Sequence, residues 1–242
     1  MTTSVLKQQL ARTPVLAGVS DDVLEVFASQ AHAKEFRRGE RLWRAGDMPA
    51  GLAVIAKGLV KVLRTSATGR NVLCACFGAP QSVGDAVLVR GLPYPAEAVV
   101  ATPRAQVIWV PRAIFLRELE SGPKIAVSMS QALHVKLLAL HGKIDVLSAG
   151  SVESRLATAL LQLTEQFGDE LEDGTHIVPV ALSRRELSEW VSTSLETVVR
   201  IMKRWERAGA LETNRQGFLI RSFEELHAAR GEALGERLKA AE

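Results

Sequence analysis

The sequence predicts an α+β fold in which a β-rich N-terminal half, one long helix and a C-terminal group of helices and strands follow in order. Residues 32–110 hold short apolar runs separated by glycines, a pattern typical of a β-sandwich or barrel. Residues 123–147 repeat apolar side chains at helical spacing, and residues 152–221 mix helical and strand patterns. A chain of 242 residues that is 47% hydrophobic and 24% charged has material for two folded domains.

The N-terminal half begins with an amphipathic helix over residues 20–31, for which Ser20 is a candidate N-cap. Thr68-Gly69-Arg70 has the composition of a hairpin turn. Pro111 suits the first turn of a further short helix, predicted to end before Gly122. The predicted strands between these helices are residues 52–55, 59–63, 72–77, 98–101 and 107–110.

A heptad pattern characterises the long helix, because its apolar positions recur at alternating spacings of four and three residues. A helix with this spacing packs against a parallel copy of itself, so the pattern predicts a homodimer. Packing of the helix against its own domain is the alternative interpretation. A hinge is expected at residues 148–151. The predicted dimer seam consists of Leu133, Leu137, Leu140, Ile144 and Leu147, which Ala126 and Ser130 extend toward the N-terminus.

A helix-turn-helix is predicted after a helix over residues 152–167 and a strand over residues 176–180. Ser183 and Glu186 have the spacing of a capping box, which starts a first helix ending near residue 191. Ser194 is positioned to cap a second helix over residues 195–208.

The polar face of the second helix has the chemistry to read base pairs in the major groove. Arg200 can donate two hydrogen bonds to guanine, and Glu196 can accept one from cytosine. The alternative is an exposed, salt-bridged helix, because Glu196 and Arg200 also have the spacing of an ordinary i, i+4 ion pair. The residues expected to meet the DNA backbone are Ser183, Arg184, Arg185, Ser194, Thr197, Lys203, Arg204 and Arg207.

A β-hairpin is predicted after the second helix. Gly209 suits the helix C-terminus, and the strands at residues 210–213 and 218–221 flank a turn at residues 214–217. A hairpin after such helices makes a winged helix-turn-helix, with Arg215 at the wing tip facing the DNA backbone. The expected partner is double-stranded DNA.

The chain resembles the CRP/FNR superfamily of bacterial regulators from about residue 14 to residue 222. The motifs are Leu182-Ser183-Arg184-Arg185-Glu186-Leu187, the Glu196-Thr197-Val198-Val199-Arg200 core, Arg38-Gly39-Glu40 with Arg44-Ala45-Gly46-Asp47, and Gly84-Asp85 where the family has Gly-Glu.

The resemblance implies three parts: a jelly-roll-like sensor β-roll at residues 1–121, a dimerisation helix and hinge at 122–150, and a DNA-binding domain at 151–242. It implies a homodimer that reads a G·C pair in each half of a palindromic promoter site through Glu196 and Arg200, with RNA polymerase as a further partner. Leu195 stands where cyclic-AMP regulators carry a second base-reading arginine. The recognition helix is therefore more similar to the FNR branch, with TTGA as the expected half-site.

The effector is left open by the sequence. Cyclic-nucleotide binders pair the cyclic phosphate with an Arg next to Ser or Thr. In this chain Tyr94-Pro95 occupies the position of that Arg-Ser pair, and the carboxylate of Glu97 follows close by. Leu140 and His141 stand at the positions of the long helix that contact the base of the cyclic nucleotide in the cyclic-AMP regulators. Cyclic AMP is therefore disfavoured as the effector. Arg90 and Arg104 are candidate substitutes for the missing arginine.

Other sensing chemistries follow from cysteine and histidine. An iron–sulfur cluster of the FNR kind needs four cysteines and is disfavoured, since the chain has two. Cys74 and Cys76 lie on one side of a strand, as a redox or metal pair or as small core residues. Haem remains an alternative, with His32, His134 and His141 as candidate axial ligands. A small organic ligand, or none, is the remaining option.

Composition and motifs exclude other classes. The net charge is +3 and the pI about 9.0, which alone says little about partners. Neither a signal peptide nor a membrane span is expected, so a cytoplasmic protein is predicted. No catalytic motif is present, so the chain is not expected to be an enzyme. A signalling module whose winged helix binds protein is the competing function.

Overall fold

The structure, a computed structural model, describes residues 1–231 except 67, 68 and 70. Thr68 and Arg70 of the predicted hairpin turn, and the last eleven residues of the predicted DNA-binding domain, lie outside the described residues. The chain divides into two compact units, Met1–Leu138 and Ala139–Glu242, whose boundary falls inside the long helix.

The first unit contains two four-stranded antiparallel sheets with helices around them. The helices are α1 (Thr3–Ala11), α2 (Asp21–Gln30), α3 (Asp85–Arg90) and α4 (Arg112–Ser121), with a 3₁₀ turn at Pro14–Leu16. The strands are β1 (His32–Arg37), β2 (Arg41–Trp43), β3 (Gly51–Lys57), β4 (Leu59–Thr65), β5 (Asn71–Gly78), β6 (Ser82–Val83), β7 (Glu97–Val100) and β8 (Arg104–Pro111). The strand orders are β1-β8-β3-β6 and β2-β7-β4-β5.

Strand β3 explains how this unit is layered. Its side chains alternate between the two faces of the sheet, and both faces are buried. Leu52 and Val54 face a core formed with the helices, whereas Ala53 and Ile55 face the core between the two sheets. The continuous apolar run that predicted a strand therefore serves two cores at once.

The structure confirms the predicted strands and the helix before them, with small differences at the helix starts. Ser20 lies at the N-cap of α2, but its side chain makes no capping hydrogen bond in the described part of the chain. Pro111 also lies at the N-cap, one residue before α4, because it still pairs with Gly51 at the end of β8. Helices α1 and α3 were not predicted.

The long helix α5 spans Pro123–Ser148, close to the predicted bounds. One face packs into the helix-side core of the first unit through Ile125, Met129 and Ala132. Leu133 of the predicted seam also packs against this core. The seam continues from there toward the helix C-terminus. Its later leucine and isoleucine positions, from residue 137 to residue 147, are between 42% and 60% exposed in the single chain.

The second unit combines the end of α5 with further helices and a four-stranded sheet. The elements are α6 (Val152–Phe167), β9 (Asp169–Glu170), β10 (His176–Val178), α7 (Arg184–Trp190), α8 (Leu195–Arg207), β11 (Leu211–Thr213), β12 (Phe218–Ile220) and α9 (Phe223–Arg230). The strand order in the sheet is β11-β12-β10-β9. The predicted helix at residues 152–167 is confirmed. Among the described residues, no helix is long and apolar enough to cross a bilayer.

Candidate nucleic-acid interface

The first helix of the motif, α7, begins at the predicted capping box. The Ser183 hydroxyl accepts a hydrogen bond from the Glu186 N–H at 3.1 Å. The Glu186 carboxylate accepts from the Ser183 N–H at 2.9 Å, so both halves of the box are present. Each capping bond satisfies a backbone donor that the helix leaves free.

A tight turn connects α7 to α8. Ser192 adopts the left-handed backbone conformation with φ +54°, which is uncommon for a residue other than glycine. The Thr193 N–H closes the turn by donating to the Ser188 carbonyl at 2.9 Å. Ser194 then caps α8, since its hydroxyl accepts from the Thr197 N–H at 3.2 Å. The turn thereby sets where α8 begins.

Helix α8, called the recognition helix below, is strongly amphipathic. Its buried face packs into the second unit and consists of Val198, Ile201, Met202 and Trp205. The opposite face borders an open depression of about 500 Å³ lined by Leu195, Glu196, Val199, Arg200, Lys203 and Arg207. Glu196 and Arg200, the predicted base-reading pair, are therefore together on an exposed surface.

The charge state of Glu196 suits its predicted role as an acceptor. Hydrogen bonds from its own backbone N–H and from Ser194 lower the pKa of its carboxyl below the ordinary value of 4.5. The side chain is thus an anion at neutral pH at the N-terminus of a helix, where negative charge is favourable.

Two predicted phosphate contacts are engaged inside the second unit. The Arg184 Nη2 donates to Glu206 Oε1 at 2.7 Å and to Thr213 Oγ1 at 2.8 Å. Arg204 forms an ion pair with Glu153. Neither pair has a local signal in the sequence, because the partners lie far apart along the chain. These guanidinium groups connect α7, α8, α6 and the wing rather than standing free.

The other residues predicted to contact the DNA backbone are either exposed cations or side chains that cap helices. Arg185, Lys203 and Arg207 are exposed, while the Ser183, Ser194 and Thr197 side chains take part in capping. The wing is built as predicted, with Asn214 Oδ1 accepting from the N–H groups of Gln216 and Gly217 at 2.7 and 3.0 Å. Arg215 is exposed at the tip of this turn.

In the first unit, three predicted effector-site residues lie close to one another. Tyr94 stacks on Trp43, with ring centroids 4.1 Å apart. Gly84 has φ +75°, and a Cβ there would meet Tyr94 Cε1 at 2.6 Å. Asp85 follows Gly84 and is 3% exposed. The aromatic pair therefore packs directly against the backbone where the family pattern has Gly-Glu.

Tyr94 is buried in a way that holds it neutral. Burial is the main cause that raises the pKa of its phenol to about 12, and the charges of Asp85 and Asp47 add to the shift. Its hydroxyl finds no hydrogen-bond partner within the described residues.

Asp85 is paired with a residue that the sequence reasoning missed. Lys136 of α5 reaches its carboxylate at 2.5 Å, and the Ser82 hydroxyl donates to the same oxygen at 2.6 Å. The Lys136 ammonium also lies 5.5 Å from the centre of the Phe77 ring. A charge of the protein itself thus satisfies the buried carboxylate.

The other predicted effector residues have their own partners or are exposed. Glu97 accepts from Arg41 Nε at 2.6 Å, and Arg90 and Arg104 are exposed. Cys74 and Cys76 lie on β5 with intermediate exposure. Leu140 and His141 are exposed on the part of α5 in the second unit, and His32 and His134 are exposed as well. No cluster of three or more potential metal ligands exists among the described residues.

Comparisons with known proteins match both units. A cyclic nucleotide-binding domain matches residues 33–121, and a Crp-like helix-turn-helix domain matches residues 154–229. A CRP-like cAMP-activated global transcriptional regulator of Mycobacterium tuberculosis is 25% identical over 217 residues, covering 90% of this chain and 96% of that protein. The global nitrogen regulator of Synechococcus elongatus is 28% identical over 171 residues, covering 70% and 76%.

Solved structures agree on the fold. FixK2 from Bradyrhizobium japonicum aligns with a TM-score of 0.69 at 19% identity, covering 84% of this chain and 98% of that one. The fold and the exposed recognition helix define a DNA-binding transcription regulator, not an enzyme. The chain is a CRP/FNR-type transcription regulator, with a cyclic-nucleotide-binding-like sensor domain and a helix-turn-helix DNA-binding domain.

Proposed function

We propose that this regulator binds a palindromic promoter site as a homodimer and that Glu196 and Arg200 read a G·C pair in each half-site. The observation that carries the proposal is the placement of both side chains on the exposed face of a capped recognition helix. Arg200 donates to guanine and Glu196 accepts from cytosine, the pairing that major-groove geometry favours.

The set of residues proposed to contact the DNA backbone is smaller than the set predicted from the sequence. Arg185, Lys203, Arg207 and Arg215 are exposed cations available to phosphates. Arg184 and Arg204 instead position the recognition helix through Glu206 and Glu153.

The exposed seam of α5 supports the homodimer. An apolar stripe left open on a long helix is costly in water, and a parallel copy would cover it in heptad register. Two copies related by a twofold axis present two recognition helices, and a palindrome matches that symmetry. As a transcription regulator, the dimer would act in the cytoplasm on chromosomal DNA together with RNA polymerase.

The half-site is proposed to follow the FNR branch. Leu195 occupies the first turn of the recognition helix and lines the same depression as the base-reading pair. An apolar side chain there favours a TTGA-type half-site over GTGA.

For the sensor, we propose an effector other than cyclic AMP. Tyr94, where the family pattern has its phosphate-binding arginine, is stacked on Trp43. Asp85 is already neutralised by Lys136. The Mycobacterium tuberculosis relative is named as cAMP-activated, so adding cyclic AMP to the two proteins in parallel compares them directly. This chain should show unchanged DNA affinity. An absorption spectrum before and after reduction, and with nitric oxide, tests the haem and redox alternatives.

A salt titration tests the DNA-binding function. Affinity for a duplex obtained by in vitro selection should fall steeply with salt, because each neutralised phosphate releases counterions. A flat response would favour the competing function, a winged helix that binds protein. Sedimentation on the same duplex should give two chains per site.

A further inference from the structure

Two aliphatic side chains form one edge of the exposed face of the recognition helix. Leu195 and Val199 are spaced i, i+4, are partly exposed, and line the same depression as Glu196 and Arg200. The buried face of the helix consists of other residues, so neither is a core residue in the second unit. Of the four lining residues nearest the helix N-terminus, two are thus charged and two are aliphatic.

Major-groove chemistry offers one target for the aliphatic half. Thymine alone among the unmodified bases displays a methyl group there, and apolar side chains contact it. We propose that Val199 reads the 5-methyl group of a thymine beside the G·C pair, and that this contact helps set the sequence preference. The inference rests on the proposed function, because it requires the recognition helix to enter the groove.

The position of Val199 defines which base pair it reads. Val199 directly precedes Arg200 in the chain and lies one turn after Glu196, so its methyl groups flank the pair that reads G·C. Leu195 lies about 6 Å further toward the helix N-terminus, a distance close to two base-pair rises. A second thymine further along the half-site is therefore within reach of Leu195.

Recognition through a methyl group can be distinguished from recognition through hydrogen bonds by changing the base. Deoxyuridine keeps every hydrogen-bonding group of thymidine and loses only the methyl, whereas 5-methylcytosine carries the same methyl on another base. Binding should therefore follow the methyl group on either base. Cytosine methylation at the Val199 position should strengthen binding to the cytosine-containing site.

The experiment uses the full chain and a palindromic duplex obtained by in vitro selection. Each thymine is replaced in turn by deoxyuridine in both half-sites, and affinities are measured by fluorescence anisotropy at fixed salt. At the thymine beside the G·C pair we expect a loss of about fourfold per half-site and about fifteenfold for both, the value of one buried methyl group. Replacing cytosine by 5-methylcytosine at that position should give a gain of similar size.

A substitution at Val199 tests whether this residue causes the preference for thymine over deoxyuridine. Val199→Ala should lower the thymine-to-deoxyuridine ratio at that position to below about twofold. The ratio compares two duplexes with the same protein, so it is insensitive to the amount of folded chain. Leu171→Ala removes an exposed leucine in the same unit and should leave the ratio unchanged.

Two outcomes overturn the proposal while leaving the proposed function standing. One is a selected site without thymine beside the G·C pair. The other is a set of deoxyuridine ratios near one, or ratios that Val199→Ala does not change, in a duplex whose binding still depends on Arg200. A chain that binds no selected duplex would overturn the proposed function and this inference together.

Discussion

Arg184 at the start of α7 donates to Glu206 near the end of the recognition helix at 2.7 Å, and both side chains are largely shielded from solvent. Thr213 of the wing donates to the same Glu206 oxygen at 3.0 Å. One carboxylate thus joins both helices of the motif and the wing, so the angle at which the recognition helix projects depends on it.

Breaking this pair should destabilise the second unit. Arg184→Met leaves Glu206 partly buried without its cation, and we expect a loss of about 1–2 kcal/mol in unfolding free energy, between exposed and fully buried pairs. Urea denaturation followed by tryptophan fluorescence measures it. The matched control is Arg221→Met, which removes the exposed ion pair with Glu212 and should cost less than about 1 kcal/mol. Equal losses in both variants would contradict this role.

The buried pair in the first unit should matter more. Lys136→Met strands the Asp85 carboxylate in the interior, and we expect a loss of about 3 kcal/mol. The double variant Asp85→Asn with Lys136→Met should recover part of that loss, because no charge remains to be paired. Lys124→Met, an exposed lysine on the same helix, serves as the control and should change stability little. Failure of the double variant to recover stability would argue against the ion pair.

The titration of Tyr94 can be followed directly, since it is the chain's one tyrosine. Its folded-state pKa of about 12 exceeds the ordinary value of 10.0. The neutral phenol is therefore favoured by folding. Its stabilising contribution is complete below pH 10 and is lost as pH rises toward 12.

Tyrosinate absorbance during alkaline titration measures this. The signal in native buffer should appear well above the pH at which it appears in denaturant, and Tyr94→Phe should abolish it. Coincident titrations of the native and denatured chain would show that Tyr94 is not buried as described.

The exposed seam of α5 predicts which substitutions should disrupt the dimer. Leu140→Glu with Ile144→Glu places four carboxylates in the interface of a dimer, so we expect monomers in sedimentation and a large loss of affinity for the palindrome. Val135→Glu changes an equally exposed residue outside the heptad positions and should leave the dimer intact. A dimer that survives the double substitution would place the interface elsewhere.

The elements that the sequence predicted well are those whose local signals agree. The capping box at Ser183 and the cap at Ser194 place both helices of the motif, and the heptad pattern places α5. What escaped prediction depends on long-range pairing. Arg184 reads as a free cation until Glu206 is brought beside it, and Lys136 carries no local sign of its contact with Asp85.

The effector residues show the same limit. Motif alignment grouped Gly84, Asp85 and Tyr94 correctly as neighbours. Glu97 accepts a hydrogen bond from Arg41 on β2. Alignment locates positions along the chain, but it does not show this partner, which strand pairing brings beside Glu97.

The reading of one base pair in each half-site by Glu196 and Arg200 can be tested directly. Affinities of the wild type, Arg200→Ala and the control Arg90→Ala should be compared on four duplexes that carry each base pair in turn at that position. We expect the wild type and Arg90→Ala to prefer G·C strongly, and Arg200→Ala to lose about 1–3 kcal/mol on that duplex, with a weakened preference that only the Glu196 contact to cytosine maintains. An unchanged preference in Arg200→Ala would contradict the account.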